Sequence, residues 1–332
     1  MLHDVHRPPP TAAHGRRLAS ARTRGAGALA ALCAAAALTL AACASVSPPP
    51  APHLEPDAGI RRVGVYVPSG VWNGLAGLEE LEAMVGRPFD LAHWFASFDV
   101  AFDPVPVHDV LRSGRVPLIT WQPMREDLRD IAAGVHDDYL RSWADGVRAA
   151  PGIVYLRPFP EMNGDWVPWN GDPDAFRAAW AHVTALFRDA GAVNVRWVWS
   201  PNLTDEPRTD ANRMERYYPG RDQVDVLALS GYNWGETRPY IGWRTFGEML
   251  AVPYRRLTDL GDQPVWMAET ASTEVGGDKA AWIRDMFASA AAFPRLEAVV
   301  WFNENKETDW RLESSAAALR AFARSVPPPA EP

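Results

Sequence analysis

Two apolar runs in this chain each deliver a glutamate. Gly152-Ile153-Val154-Tyr155-Leu156 leads into Arg157-Pro158-Phe159-Pro160-Glu161-Met162-Asn163-Gly164-Asp165-Trp166, and Gln263-Pro264-Val265-Trp266-Met267-Ala268 leads into Glu269-Thr270. Both runs read as strands covered on both faces, because their apolar residues are continuous rather than alternating. Two carboxylic acids at the ends of two buried strands, with tryptophans beside them, suit cleavage of a glycosidic bond. One acid protonates the leaving oxygen while the other attacks or stabilises the sugar carbon.

The neighbours sort by what each could add. Arg157 could hydrogen-bond a carboxylate and keep it ionised; the plainer reading is a structural ion pair. Tyr232, in Ser230-Gly231-Tyr232-Asn233-Trp234, could hold the nucleophile through its hydroxyl or simply pack. Trp166, Trp169, Trp234 and Trp301 fall at or just beyond expected strand ends, where stacking on sugar rings is favoured. Trp121 is balanced between stacking and core, while Trp197 and Trp199, inside a strand, read as core. Asn163, Asp165 and Asn202 are candidates for sugar hydroxyls, although such residues are common in loops anyway. His53, His93, His108, His136 and His182 show no close pairing, so neither a zinc site nor a Cys/His site is expected. No Gly-x-Ser-x-Gly elbow occurs, and no cofactor is implied.

The elements that must hold these residues recur along the chain. Strands are expected at Arg62–Val67, Ala92–Phe98, Val116–Trp121, Gly152–Phe159, Val195–Ser200, Val224–Ser230, Pro264–Ala268 and Leu296–Phe302. Asp172-Pro173 is an N-cap and first-turn pair opening a helix over Asp174–Ala190, closed by Gly191. Further helices are expected at Asp137–Ala149, Phe246–Leu260, Asp278–Ala292 and Ser314–Arg324, with an irregular connection from Pro201 to Gln223. Eight buried strands with crossovers in one α/β domain, residues 59–326, point to a (β/α)8 TIM barrel. An open doubly wound sheet is the alternative, but Val67-Pro68-Ser69-Gly70-Val71-Trp72 is not its Gly-rich phosphate turn. In a barrel, Glu161 and Glu269 would both project over the mouth.

The ends of the chain read differently. Arg16, Arg17, Arg22 and Arg24 precede an Ala/Leu-rich stretch from Ala26 to Ala37, which ends in Leu40-Ala41-Ala42-Cys43. That pattern resembles a bacterial lipoprotein signal over residues 1–42, with Cys43 as the acylated residue and export to the cell envelope, or secretion, as the consequence. Residues 43–58 form a Pro-rich linker and 327–332 a disordered tail. Both cysteines, Cys33 and Cys43, precede the domain, which therefore has no disulfide to form. The net charge is −8, and removing the leader takes away five arginines and one aspartate, so the domain is more acidic still. An acidic domain without basic runs argues against nucleic acid or an anionic membrane surface as a partner. Membrane association is expected only through a lipid at Cys43, and the protein is expected to be a monomer that binds a β-linked polysaccharide or oligosaccharide.

Arg157-Pro158-Phe159-x-Glu161-Met162-Asn163-Gly164-x-Trp166 resembles the signature of glycoside hydrolase family 26, retaining (β/α)8 enzymes that are mostly β-mannanases. Tyr217-Tyr218-Pro219-Gly220, Ser230-Gly231-Tyr232, Ala268-Glu269-Thr270, Trp301-Phe302-Asn303 and Asp309-Trp310-Arg311 extend the resemblance over residues 60 to 324. It implies Glu161 as acid/base, Glu269 as nucleophile, Arg157 and Tyr232 on the nucleophile, and Trp166 and Trp301 lining the cleavage subsites. It implies endo-hydrolysis of β-1,4-mannan, with a β-glucan or another β-linked exopolysaccharide as the alternative. The alternative has a basis: Pro160 stands where the family's mannanases usually carry His, and proline has no side-chain donor. A non-catalytic glycan-binding lipoprotein is a further reading, disfavoured because binding alone needs neither acid.

Overall fold

A computed structural model describes residues 59–329. The leader, Cys43, the whole linker and residues 330–332 lie outside the described residues.

Eight parallel strands close into a barrel in chain order. They are β1 (Arg62–Tyr66), β2 (Leu91–Ser97), β3 (Val116–Gln122), β4 (Val154–Pro158), β5 (Val195–Trp199), β6 (Val226–Asn233), β7 (Val265–Ser272) and β8 (Leu296–Phe302). Pairing of Arg62–Tyr66 with Ala298–Phe302 closes the ring. All eight expected strands are present, and the closed barrel replaces the open-sheet alternative.

The helices are α1 (Ala76–Val85), α2 (Pro104–Arg112), α3 (Leu128–Ala132), α4 (Asp137–Ala149), α5 (Pro173–Asp189), α6 (Phe246–Thr258), α7 (Lys279–Ser289) and α8 (Ala316–Ser325). Asp172 caps α5 by accepting from the Ala175 amide, with Pro173 in the first turn, as its sequence implies. Thr245 and Glu248 form a reciprocal capping box on α6. The first three helices were not anticipated: α3 is too short to show a period, and α2 carries two prolines that mask one. The connection from Pro201 to Gln223 is irregular as expected, holding three short 3-10 turns.

Two apolar layers result, one on each side of the strands. Leu91, Leu118, Val198, Val226, Ala228, Trp266, Ala268, Ala298 and Val300 fill the barrel interior, with Tyr155 against Trp266 at 4.7 Å between ring centroids. This plug makes the floor beneath the site, since a barrel of this size is packed rather than hollow. The larger core lies between strands and helices and takes the opposite strand faces, such as Ile119, Trp121, Leu156, Val299 and Trp301.

Candidate active site

The site is assembled above the Trp266 plug from the carboxyl ends of the strands. Along β4, Tyr155 and Arg157 both point inward, because strand side chains alternate. Arg157 is fully buried. Its Nη1 donates to Glu269 Oε2 at 3.0 Å and to Thr120 Oγ1 at 3.2 Å, and its Nη2 donates to Ser230 Oγ. The guanidinium is thus fixed by three strands.

Glu269 does not follow β7 as the sequence suggests; it lies inside it. Strand β7 runs on to Ser272, and its register against β6 slips by one residue, Leu229 pairing with Met267 but Ser230 with Glu269. This bulge breaks the alternation. Ala268 faces the interior layer, yet the next residue, Glu269, also turns inward to meet Arg157. A bulge beside a reacting group re-aims a side chain in just this way. Glu269 is 1% exposed, and its other oxygen accepts from the Tyr232 hydroxyl at 2.5 Å. Removal from water, then the charges of Glu269 and Glu161, push the Tyr232 phenol well above its ordinary value, so it remains a donor. Tyr232→Phe is expected to lower kcat by about tenfold or more with the fold intact, the worth of one charge-assisted hydrogen bond. Steady-state kinetics and a thermal melt on one preparation check this.

Glu161 is held quite differently. Phe159 and Glu161 have φ of 52° and 57°, left-handed values that non-glycine residues avoid, with Pro160 between them. Such strain persists only where the surroundings impose it. Here Phe159 N donates to Trp121 O at 3.0 Å, Glu161 N to Ser200 O at 2.8 Å, and Trp169 Nε1 to Pro160 O at 2.7 Å. The carboxylate of Glu161, half-buried, accepts from Trp166 Nε1 at 2.6 Å and from Asn202 Nδ2 at 3.1 Å. Both donors are neutral.

Glu161 and Glu269 open onto one cavity of about 760 Å³, also lined by Asp165, Trp166, Tyr232, Trp234 and Trp310. Among the twelve residues the sequence marks for the site, Glu161, Asp165, Trp166, Asn202, Tyr232, Trp234 and Glu269 line the cleft, and Arg157 lies directly behind Glu269. Four do not reach it. Trp121 turns outward from β3 and stacks on Trp143 at 4.5 Å, its indole N–H bonded to the Tyr139 hydroxyl. Trp169 is buried beneath the Glu161 loop. Trp301 turns outward from β8 against Trp282 and Phe322 and donates to Trp310 O at 3.0 Å. Its neighbour Phe302 takes the inward direction and stacks on Tyr66 at 4.8 Å, the parity of a strand leaving no other choice. Asn163 spends its amide on Asn202 O, Thr204 O and Asp205 Oδ1 and accepts from Asn202 N at 2.7 Å. It therefore aligns Asn202 on Glu161 rather than facing a ligand.

Trp310 stands nearer the cleft than Trp301, but it is fully buried and supports the wall. It packs edge-on to Trp234 at 4.9 Å and against Tyr232 at 5.0 Å. The loop that carries it is tied from below by Lys279, fully buried, whose Nζ donates to Asp309 O, Arg311 O and Ser314 Oγ at 2.6 to 3.1 Å. Burial brings the Lys279 ammonium down to about 8 from an ordinary 10.5, against the opposing pull of Glu274, Asp309 and Glu313. Between those two values the unfolded chain holds a proton that the folded chain has released, so this group makes stability rise with pH across that window. In Lys279→Met, that contribution to the slope is expected to vanish. Denaturant midpoints measured from pH 7.5 to 10 on both proteins, taken as a difference, test it.

A closed (β/α)8 barrel with two carboxylates facing an aromatic-lined cleft at its mouth is the arrangement of a glycoside hydrolase. A model of glycosyl hydrolase family 26 matches residues 135–262, a segment that includes Arg157, Glu161 and Tyr232 and stops just short of Glu269. Endoglucanase H of Acetivibrio thermocellus is 34% identical over 272 residues, covering 77% of this chain and 30% of that protein. Mannan endo-1,4-beta-mannosidase A and B of Caldalkalibacillus mannanilyticus is 30% identical over 109 residues, covering 29% of this chain and 20% of that protein. A modular endo-beta-1,4-mannanase from Cellulomonas fimi has the same fold, with a TM-score of 0.63 at 17% identity over 82% of this chain and 71% of that one. This chain belongs to glycosyl hydrolase family 26. It spans less than a third of the length of either sequence relative.

Proposed function

We propose that the protein is a retaining endo-β-glycanase, exported and lipid-anchored at Cys43, that hydrolyses β-1,4-mannan with Glu269 as nucleophile and Glu161 as acid/base. The observation that carries the division of roles is the difference between the two carboxylates. Glu269 is buried against a permanent cation and a phenol donor, whereas Glu161 meets only neutral N–H groups beside the open cleft. Two acids in such unequal surroundings are the usual sign of unequal roles.

In the first step Glu161 protonates the glycosidic oxygen as Glu269 attacks the anomeric carbon, forming a glycosyl ester and releasing the leaving chain. Tyr232 and Arg157 hold the attacking carboxylate to one geometry throughout. In the second step Glu161, now a carboxylate, removes a proton from water, which displaces Glu269 and restores the starting configuration. Trp166 and Trp234, both part-exposed at the cleft, offer apolar surface to the sugar rings, and the buried Trp310 backs Trp234 from below.

A β-glucan is the second reading, and two observations favour it. The relative that matches most of this chain is named Endoglucanase H, while the mannan endo-1,4-beta-mannosidase relative matches over 109 residues. Pro160, where mannanases of the family usually carry His, is buried and does not line the cleft. Reducing-sugar release from β-mannan, mixed-linkage β-glucan and β-1,3-xylan decides between them. Binding with no release from any of the three would instead identify a non-catalytic glycan receptor. The anomer first formed, followed by proton NMR, tests retention.

A further inference from the structure

Three arginines line the cleft beside five acids, Glu161, Asp165, Glu206, Glu269 and Glu307. Arg208 reaches it from the loop after β5, and Arg238 and Arg244 from the loop after β6, in a chain whose net charge is −8. The acids of the same cleft are largely engaged. Glu161 and Glu269 are held as described, Glu307 accepts from Trp310 Nε1 at 3.1 Å, and Glu206 faces Arg208 at 3.2 Å. Asp165 stands exposed at the rim.

Arg244 is the informative member. Its backbone is fully used, the amide donating to Asn233 Oδ1 at 3.2 Å and the carbonyl accepting from Trp282 Nε1 at 3.0 Å. Its side chain is half-buried, and its guanidinium makes no ion pair among the described residues. A partly desolvated guanidinium without a counter-ion is costly, and its planar fork matches a carboxylate better than a hydroxyl. Arg238 lies over the Trp234 ring, its Cζ 3.5 Å from the centroid, and lines the same cleft as a second cation.

That wall is built rather than draped. Gly235 and Gly242 pair across the loop as an isolated bridge, and Glu236 N donates to Val275 O at 3.1 Å on the loop after β7. Gly235, at φ 48°, lies so close to Val275 O that a Cβ would stand 2.1 Å from it. A Cβ on Gly277 would likewise stand 2.3 Å from the Trp243 ring. The backbone that carries the arginines is therefore held in place by close packing against the loop after β7.

We infer that this cleft takes a β-linked glycan bearing sugar carboxylates, one of which is received by Arg244 with Arg238 beside it. The inference rests on the glycanase reading of the same cleft and narrows its substrate. The carboxylates must be spaced along the chain, not carried by every ring, because Glu269 and Glu161 would repel one at the point of cleavage and Asp165 one at the rim.

Glucomannan with a fraction of its C6 hydroxyls oxidised to carboxylates, set against the unoxidised polymer, isolates this term. The full chain should cut the oxidised polymer with a kcat/KM about tenfold higher at low salt, the size of one charge-assisted hydrogen bond. High salt should erode that preference, Arg244→Met should abolish it, and Arg244→Lys should restore part of it. Retardation in native gels containing each polymer reads the same preference without turnover. Equal rates and equal retardation on the two polymers would overturn the inference while leaving the glycanase reading intact. A preference that Arg244→Met leaves in place would overturn it too. Preferential retardation by the oxidised polymer with no cleavage of either would support the subsite and sink the glycanase reading.

Discussion

Glu269→Ala is expected to lower turnover of any β-linked polysaccharide by roughly 10⁴-fold or more, the scale on which removal of a covalent nucleophile acts. The loss should fall on kcat, since Glu269 contributes to bond formation and not to holding distant sugar rings. The replacement also strands Arg157, a fully buried cation, without its counter-ion. Breaking a buried pair by removing one partner costs on the order of 3–5 kcal/mol, so the melting temperature should drop as well. Activity must therefore be compared on protein shown to be folded at the assay temperature. The space left between Arg157 and the Tyr232 hydroxyl is shaped for a small anion, and azide should restore measurable turnover by attacking in place of the carboxylate. A folded variant retaining more than about a hundredth of wild-type kcat would remove Glu269 from the chemistry.

Glu161→Ala should show a different dependence on substrate. With polysaccharide, whose leaving group is a poor one, loss of the proton donor should cost about 10²- to 10⁴-fold. With an aryl glycoside carrying a good leaving group, glycosyl-enzyme formation needs little acid assistance and should be largely spared. Equal losses on polysaccharide and activated glycoside would reverse or dissolve the division of roles. Stability should change little, as Glu161 bonds only to the Trp166 and Asn202 N–H groups at the edge of an open cleft.

Much of the barrel is legible in the chain itself. Strands buried on both faces must be apolar without a break, and such runs stand out even where helices between them are short or interrupted by proline. The acids are legible for the same reason: a glutamate at the end of an apolar run has little structural purpose. The fates of the tryptophans were less readable. Trp301 and Trp310 are nine positions apart in one motif-bearing segment, and nothing local says that the first packs outward against Trp282 while the second reaches the cleft. Asn163 reads as a ligand contact because its type suits one, yet the long-range hydrogen bonds that consume it come from residues some forty positions later.

Residue type and spacing pointed to the eight-stranded class of fold and to the pair Glu161 and Glu269, and the family resemblance put Arg157 and Tyr232 beside the nucleophile. The tertiary structure decided which way each side chain faces. Strand parity sends Trp121 and Trp301 away from the cleft, and a one-residue slip of β7 against β6 turns Glu269 toward Arg157. Parity and register are properties of neighbouring strands, set by hydrogen bonds between segments far apart in the chain, so no single stretch of residues encodes them.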